Sequence, residues 1–316
     1  MVNISVVVPV YKEELNVRPF LARIEKVLDK IGKSYEIIFA LDPSPDRTEE
    51  VILEEIKRNP RIRLMVFSRR FGQPAAIMGG ILNCTGEPCV VIDVDLQDQP
   101  ELIEEMYAKL NEGYEVVYAK RRSRKGETWL KLLITHVGYI VINRLSDVKI
   151  PRNTGDFRIF TRRVIEELRR LSETHGFLRG MVAFVGFKQA FIEFDRDERY
   201  SGKGNYNRQI GSIKNGITGI VSFSSKPLSM MSVFGFVLAF LSFLLGAWYA
   251  LLKIIGYSVS PGLATIVIFM SFFAGIQLLA LGLMGEYIGR IYDEVKHRPM
   301  YIVDRLVNFT DKNKKI

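Results

Sequence analysis

Two long stretches of this 316-residue chain, 227–252 and 254–285, carry no Asp, Glu, Lys or Arg. A membrane-spanning helix needs about 20 predominantly apolar residues, and both stretches exceed that. A buried core hairpin of this size would need far more surrounding protein than the chain has left. Two transmembrane helices are expected, joined by a short connector at 258–262. Lys226 precedes the pair, and Lys296, His297, Arg298 and Lys312-Asn313-Lys314-Lys315 follow it. Cations accumulate on cytoplasmic flanks, so both outer ends, and the region before them, are expected on the cytoplasmic side. Gly285-Glu286-Tyr287-Ile288-Gly289 has the small-xxx-small spacing of close helix packing, which leaves homo-oligomerisation open. Ahead of the spans, Ile210, Ile213, Ile217, Ile220 and Val221 share one face of a helical pattern whose other face is Ser, Lys, Asn and Thr. This position favours a helix lying in the membrane interface; a packed core helix is the alternative.

The first 226 residues are different in kind. They are charge-rich, so the slightly positive mean hydropathy of the whole chain averages two unlike regions. The net charge of +9 favours acidic partners such as nucleotide phosphates, lipid phosphates or an anionic membrane surface. Charge alone would also admit nucleic acid. However, there is no zinc-finger spacing, no aromatic RNA-binding strand and no basic reading helix, so nucleic acid is not an expected partner. The two cysteines, Cys84 and Cys89, flank a turn, and the three histidines, His136, His175 and His297, are far apart. A zinc site and a disulfide framework are therefore not expected; buried reduced thiols are. The start of the chain lacks a basic segment followed by a long apolar one and reads as a first strand rather than a signal peptide.

Over residues 1–120 the apolar pattern alternates between strand and helix periods. Strand patterns fall at 4–10, 35–41, 62–67, 89–92 and 114–119. Helical patterns fall at 16–31, 46–58, 74–83 and 100–111. Such alternation implies an α/β fold with a mostly parallel sheet covered on both faces. Beyond it, 129–145 is a long, rather apolar helix candidate. Residues 157–160 and 189–194 read as strands, 162–171 as a helix, and 199–206 as a Gly/Ser/Lys/Tyr loop.

Open parallel sheets bind ligands beyond the carboxyl ends of their strands. The first predicted strand ends in Pro9-Val10-Tyr11-Lys12-Glu13, the second in Leu41-Asp42. The fourth, an unbroken apolar run from Cys89, ends in Asp93-Val94-Asp95-Leu96-Gln97-Asp98. Tyr11 can stack on a base, and Glu13 and Asp42 can accept hydrogen bonds from base or ribose. Two carboxylates at a strand end suit a hard divalent cation that shares its shell with substrate phosphates. The competing reading of the fourth strand end is a helix start, with Asp98 or Gln99 capping Pro100-Glu101-Leu102. Glu13 and Asp42 taken singly could equally be helix-terminal caps.

Val8-Pro9-Val10-Tyr11-Lys12-Glu13, the Asp42 turn, Arg69-Arg70-Phe71-Gly72-Gln73, Asp93-Val94-Asp95-Leu96-Gln97-Asp98 and Gly155-Asp156-Phe157-Arg158 together resemble the inverting glycosyltransferases of family 2, which have the GT-A (Rossmann-like) fold. The branch most resembled is the polyprenyl-phosphate glycosyltransferases, including dolichyl-phosphate-mannose synthase and bacterial relatives with two C-terminal membrane helices. The resemblance covers essentially the whole chain. It departs at the second strand, where Asp42-Pro43-Ser44-Pro45-Asp46 replaces the family's usual Asp-Asp-Gly-Ser. It implies a catalytic GT-A domain at 1–205, an interfacial amphipathic helix at 206–226, two transmembrane helices at 227–290 and a basic cytoplasmic tail at 291–316.

The resemblance also implies site roles. Pro9, Tyr11, Glu13, Asp42 and Gln73 would line the nucleotide pocket. Asp93 would contact the ribose or the metal shell, and Asp95 with Gln97 would hold Mg2+ or Mn2+. Asp156 resembles the acidic residue placed near the acceptor as base or positioner. Arg121, Arg199 and Lys203 resemble phosphate-binding cations. The implied reaction moves one sugar, glucose from UDP-glucose as first choice, to a polyprenyl phosphate on the cytoplasmic face of a bacterial plasma membrane. GDP-mannose, UDP-GlcNAc and an aminoarabinose donor stay open. Nucleotide-sugar, lipid phosphate and membrane are the implied partners, with a downstream flippase a further one. A polysaccharide synthase is disfavoured by the small number of membrane helices and the lack of a Gln-x-x-Arg-Trp run. A non-catalytic nucleotide-binding scaffold is disfavoured by the retained acidic residues.

Overall fold

The computed structural model describes residues 2–122, 151, 154–171, 173, 178–197, 199–201, 224–256 and 262–309. The predicted helix at 129–145, all but the last three residues of the predicted helix at 206–226, Lys203, and the tail lysines 312, 314 and 315 lie outside these residues.

The alternating apolar pattern becomes a sheet. Its strands are β1 (Ile4–Val10), β2 (Tyr35–Leu41), β3 (Ile62–Phe67), β4 (Cys89–Val91), β5 (Val116–Arg121), β6 (Thr154–Phe160), β7 (Gln189–Phe194) and β8 (Val303–Val307), in the spatial order β7-β5-β6-β4-β1-β2-β3-β8. Strands β1, β2, β3 and β4 run parallel, β6 and β8 run antiparallel to their neighbours, and β7 pairs parallel to β5. Every residue of β1, β2 and β3 is buried. Continuous apolar runs are what a sheet covered on both faces requires.

Helices α1 (Val17–Ile31), α2 (Thr48–Arg58) and α4 (Leu102–Asn111) cover one face. There Val6, Val8 and Val10 of β1 meet Phe20, Ile24, Ile52, Ile103 and Met106. Helices α3 (Gln73–Asn83), α5 (Arg162–Arg170) and α6 (Leu178–Val185) cover the other. There Val7 and Val91 meet Ile77, Ile81, Val164, Leu168 and Met181. Each such side chain contributes about 1.5–3 kcal/mol relative to exposure. The α3–β1 contact is the tightest: a Cβ on Gly80 would stand 2.2 Å from Cγ1 of Val7. Gly80→Ala is therefore expected to destabilise the fold by about 1–3 kcal/mol through overpacking, read as a lowered melting temperature of the detergent-solubilised protein.

The predicted elements recur with shifted ends. Helices α1, α2 and α4 start one or two residues later than the apolar period suggested, and β6 starts three residues earlier. The helix-start reading of Asp98 and Gln99 does not hold as a side-chain cap. The amide of Leu102 donates to the Gln99 carbonyl, and no side chain caps α4.

Helices α7 (Lys226–Ile254) and α8 (Leu263–Val295) are long and apolar enough to cross a membrane, and their apolar side chains face outward. At about 1.5 Å per residue, the 33 residues of α8 reach well past a hydrocarbon core of about 30 Å. The helix itself runs past 290, the expected end of the spans. The helix continues through Glu286, Arg290, Asp293 and Glu294, with Glu286 and Arg290 paired at 3.3 Å. The stretch 291–316, read as a basic tail, also contains structure. Strand β8 pairs antiparallel with β3, and Asn308 donates to the carbonyls of Pro60 (2.8 Å) and Ile62 (2.7 Å).

Candidate active site

The tips of β1, β2 and β4 open on one edge of the sheet, as the parallel pairing of β1 with β2 and β4 dictates. Two of these tips turn at non-glycine residues in the left-handed region, Lys12 (φ 58°) and Leu96 (φ 60°). Such backbone costs of order 1–3 kcal/mol and persists where the surroundings enforce it.

Strand β6 delivers the fourth acidic residue. Val91 pairs with Arg158 across the antiparallel β4–β6 ladder. Continuing that register two residues past Val91 and two before Arg158 brings Asp93 opposite Asp156. Arg158 is completely buried and lies against the Tyr118 ring at 5.2 Å. It donates to the Gly155 carbonyl at 2.8 Å and to Oδ1 of Asp156 at 3.2 Å. Nε of Arg179, from α6, donates to the same oxygen at 3.2 Å. Burial pushes the Asp156 carboxyl up, but Arg179 and Arg158 outweigh it and hold the group below the usual carboxylate range.

Asp93 has the opposite balance. Burial, followed by Asp98, Asp156 and Asp95, pushes its carboxyl well above the ordinary range. Its Oδ1 accepts a hydrogen bond from Nε2 of Gln73 at 2.9 Å. Asp95 accepts from the Gln97 amide at 3.1 Å and from Arg199 at 3.4 Å. Arg199 also pairs with Glu13, so one guanidinium bridges the β1 and β4 tips. Burial raises the Glu13 carboxyl despite the hydrogen bonds from Asn16 and Arg199.

Residues 195–197 and 199–201 lie along the loop 95–99 as a strap. The amide of Asp197 donates to the Gln97 carbonyl (3.2 Å) and that of Tyr200 to the Asp95 carbonyl (3.3 Å). Gln99 Nε2 reaches Oδ1 of Asp197 at 2.9 Å, and Gln97 Nε2 reaches the Asp197 carbonyl at 3.5 Å. Arg121, at the end of β5, lies over Gly155: a Cβ there would be 3.0 Å from its Nη2. Burial and the nearby Arg196 lower the pKa of Arg121.

The structure thus gathers Glu13, Gln73, Asp93, Asp95, Gln97, Arg121, Asp156 and Arg199 at one edge. Pro9 is the penultimate residue of β1, beside Ala40 of β2. Asp42, expected in the nucleotide pocket, is held by the protein itself. It is buried, and its two oxygens accept the amides of Phe71 (2.9 Å) and Gly72 (2.8 Å). It pins the loop that opens α3 at Gly72 (φ 93°). Arg70 lies over the Tyr11 ring at 4.0 Å, so the pinned loop covers the Tyr11 face. Sequence reasoning passed over Arg179 and Arg196; neither belongs to a recognisable run. Arg158 was inside the quoted Gly-Asp-Phe-Arg run but had no role assigned.

Among the described residues no group of three or more His, Cys, Asp or Glu side chains is arranged to hold a metal ion. Two crowded carboxylates and an amide remain, and Mg2+ is commonly held by one or two carboxylates with substrate phosphates completing its shell. Asp98, Asp156 and Asp95 crowd Asp93, and a divalent cation would offset that negative charge. The donor set therefore fits such an ion.

The glycosyl transferase family 2 model matches residues 5–169. An uncharacterized glycosyltransferase of Bacillus subtilis, YkcC, is 43% identical over 98% of this chain and 96% of its own length. A prophage bactoprenol glucosyl transferase homolog of Escherichia coli is 35% identical, covering 96% of this chain and 99% of that protein. The bactoprenol glucosyl transferase of Shigella phage SfV is 35% identical over 95% and 98%. Among solved structures, glucosyl-3-phosphoglycerate synthase from Mycobacterium tuberculosis, in complex with Mn2+, UDP-glucose and phosphoglyceric acid, superposes with a TM-score of 0.51 over 70% of this chain and 79% of that one, at 18% identity. That likeness establishes the GT-A fold. On its family match and its relatives, this chain belongs to glycosyltransferase family 2 and is a glycosyltransferase.

Proposed function

We propose that the protein transfers one hexose, glucose from UDP-glucose, to a polyprenyl phosphate at the cytoplasmic face of a membrane, with inversion at the anomeric carbon. The observation that carries this reading is the meeting of Asp93, Asp95 and Asp156 with Arg121, Arg179 and Arg199 at the strand tips of a chain that continues into α7 and α8. The relatives named as bactoprenol glucosyl transferases support the sugar and the lipid.

Asp95 and Asp93, with Gln97, would hold Mg2+ or Mn2+. When bound, the ion neutralises charge developing on the leaving diphosphate. Tyr11, under Arg70, offers a stacking face to the base, and Glu13 lies beside it for the ribose. Arg121 and Arg199, with Lys203, suit the grip on phosphate, since guanidinium groups bind it bidentately. A phosphate monoester has a second pKa near about 6, so the acceptor is already largely ionised at neutral pH. Asp156, whose carboxyl two arginines hold below the usual range, is a poor proton acceptor. It positions Arg179 beside the acceptor instead of abstracting a proton, with the buried Arg158 holding it in place.

The test is a donor panel with fluorescent polyprenyl phosphate in Mg2+ or Mn2+. The expected product is one glucosyl lipid from UDP-glucose, lost in excess EDTA and restored by either ion. A polymeric product, or no transfer from any donor, overturns the reading.

A further inference from the structure

Asp98 is 1% exposed, and neither of its carboxylate oxygens has a hydrogen-bond partner among the described residues. Its nearest ionic partner is Nε of Arg196, 3.9 Å from Oδ1. Arg121 is the other cation facing it. Nε of Arg196 and Nε of Arg121 are themselves buried without hydrogen-bond partners among the described residues. A buried carboxylate so placed is too costly to be incidental, and it caps no helix.

The two arginines come from different parts of the chain. Arg121 ends β5 and lies over Gly155, beside Asp156. Arg196 belongs to the strap whose Arg199 bridges Glu13 and Asp95. Asp98 sits in the loop that carries Asp95 and Gln97, to which the strap is bonded through Asp197 and Tyr200. One carboxylate therefore attracts both cationic walls of the site towards the acidic loop, with no group among the described residues hydrogen-bonded to the guanidinium Nε atoms.

We infer that Asp98 is a positioning residue: acting through Arg196 and Arg121, it holds the strap so that Arg196, Arg199 and Arg121 converge on the diphosphate of the donor. The inference rests on the proposed donor reading. Asp98 contributes no proton and touches no substrate; it sets where positive charge stands. Loss of its charge leaves the cations in the site but misplaced, so donor binding weakens while turnover at saturation is largely kept.

The experiment is a double-mutant cycle on the full-length protein in detergent, with Asp98→Asn, Arg196→Gln and the pair together. UDP with Mn2+ is titrated by calorimetry, and donor KM and kcat are measured alongside. Each single variant is expected to weaken UDP binding and raise donor KM about tenfold, the scale of a 1.4 kcal/mol interaction, with kcat changed less than about twofold. The double variant should be no worse than the poorer single one, because both remove the same interaction. Should Asp98→Asn not fold, Arg196→Gln and Arg196→Lys carry the test, with partial rescue expected for lysine. Binding and KM equal to wild type, losses that multiply in the double variant, or a fall in kcat without a rise in KM would each overturn the inference. Absence of UDP binding by the wild type overturns the inference together with the donor reading. Wild-type binding with unaffected variants overturns the inference alone.

Discussion

Asp95→Asn is expected to cut sugar transfer by about 10²–10³-fold, the scale of removing one group that stabilises transition-state charge. Asp95 is buried at the tip of β4, with one oxygen held by the Gln97 amide at 3.1 Å and the other facing Arg199 at 3.4 Å. The amide of asparagine keeps the size and one acceptor but loses the charge. It gives up the attraction to Arg199 and the hard anionic ligand a divalent cation prefers. Arg199 keeps its second partner, Glu13, so the strap should stay in place and the melting temperature should change little. The measurement is the initial rate of nucleoside diphosphate release with polyprenyl phosphate present. Near-normal turnover in this variant would remove the metal–diphosphate role from the β4 tip.

Asp156→Ala is expected to damage both stability and activity. Its carboxylate is the shared partner of Arg158, which is completely buried, and Arg179. Removing one partner of a buried ion pair costs about 3–5 kcal/mol, because the remaining charge is left uncompensated. Here two guanidinium groups lose their common anion. Because pairing lowers the Asp156 pKa below its unfolded value, the stability it confers is complete above the unfolded carboxylate range. That stability is lost as pH falls through the lowered folded value. Melting curves of wild type and Asp156→Asn should therefore differ most near neutral pH and converge on strong acidification. A constant gap at all pH values would mean that Asp156 contributes by packing rather than by charge.

The strand tips were readable in one dimension for a physical reason. A strand buried on both faces is mostly apolar, so the pair of charges after the unbroken run ending at Ile92 marks where the chain leaves the core. The same logic delivered Glu13 and Asp42, and helical periodicity delivered α1 to α5 with ends displaced by a few residues. Asp42 shows the limit. Its acidity and its place at a strand end were legible, but its partners, the amides of Phe71 and Gly72, lie some thirty residues further on. Nothing local says whether a carboxylate will face a ligand or a loop. Arg179 and Arg196 were invisible for the same reason. An arginine in a helix or a loop looks like a solvated charge until the fold puts a buried carboxylate beside it.

The sequence by itself determined the division into a charge-rich α/β unit and two apolar helices, since the hydrophobic effect acts on composition and period. It also determined which acidic residues stand at the strand ends. Only the tertiary structure decided that β6 runs antiparallel and so carries Asp156 to Asp93, that the strap of residues 195–197 and 199–201 is bonded to the Asp95 loop, and that the chain after α8 returns to the sheet as β8. That return packs Tyr301 on Phe67 and Phe67 on Phe71, ring to ring at 5.5 and 6.2 Å, behind the loop that Asp42 pins. Register, strand direction and ion pairing are contacts between distant segments. Their energies depend on which groups are brought together and dried, and no local pattern encodes that.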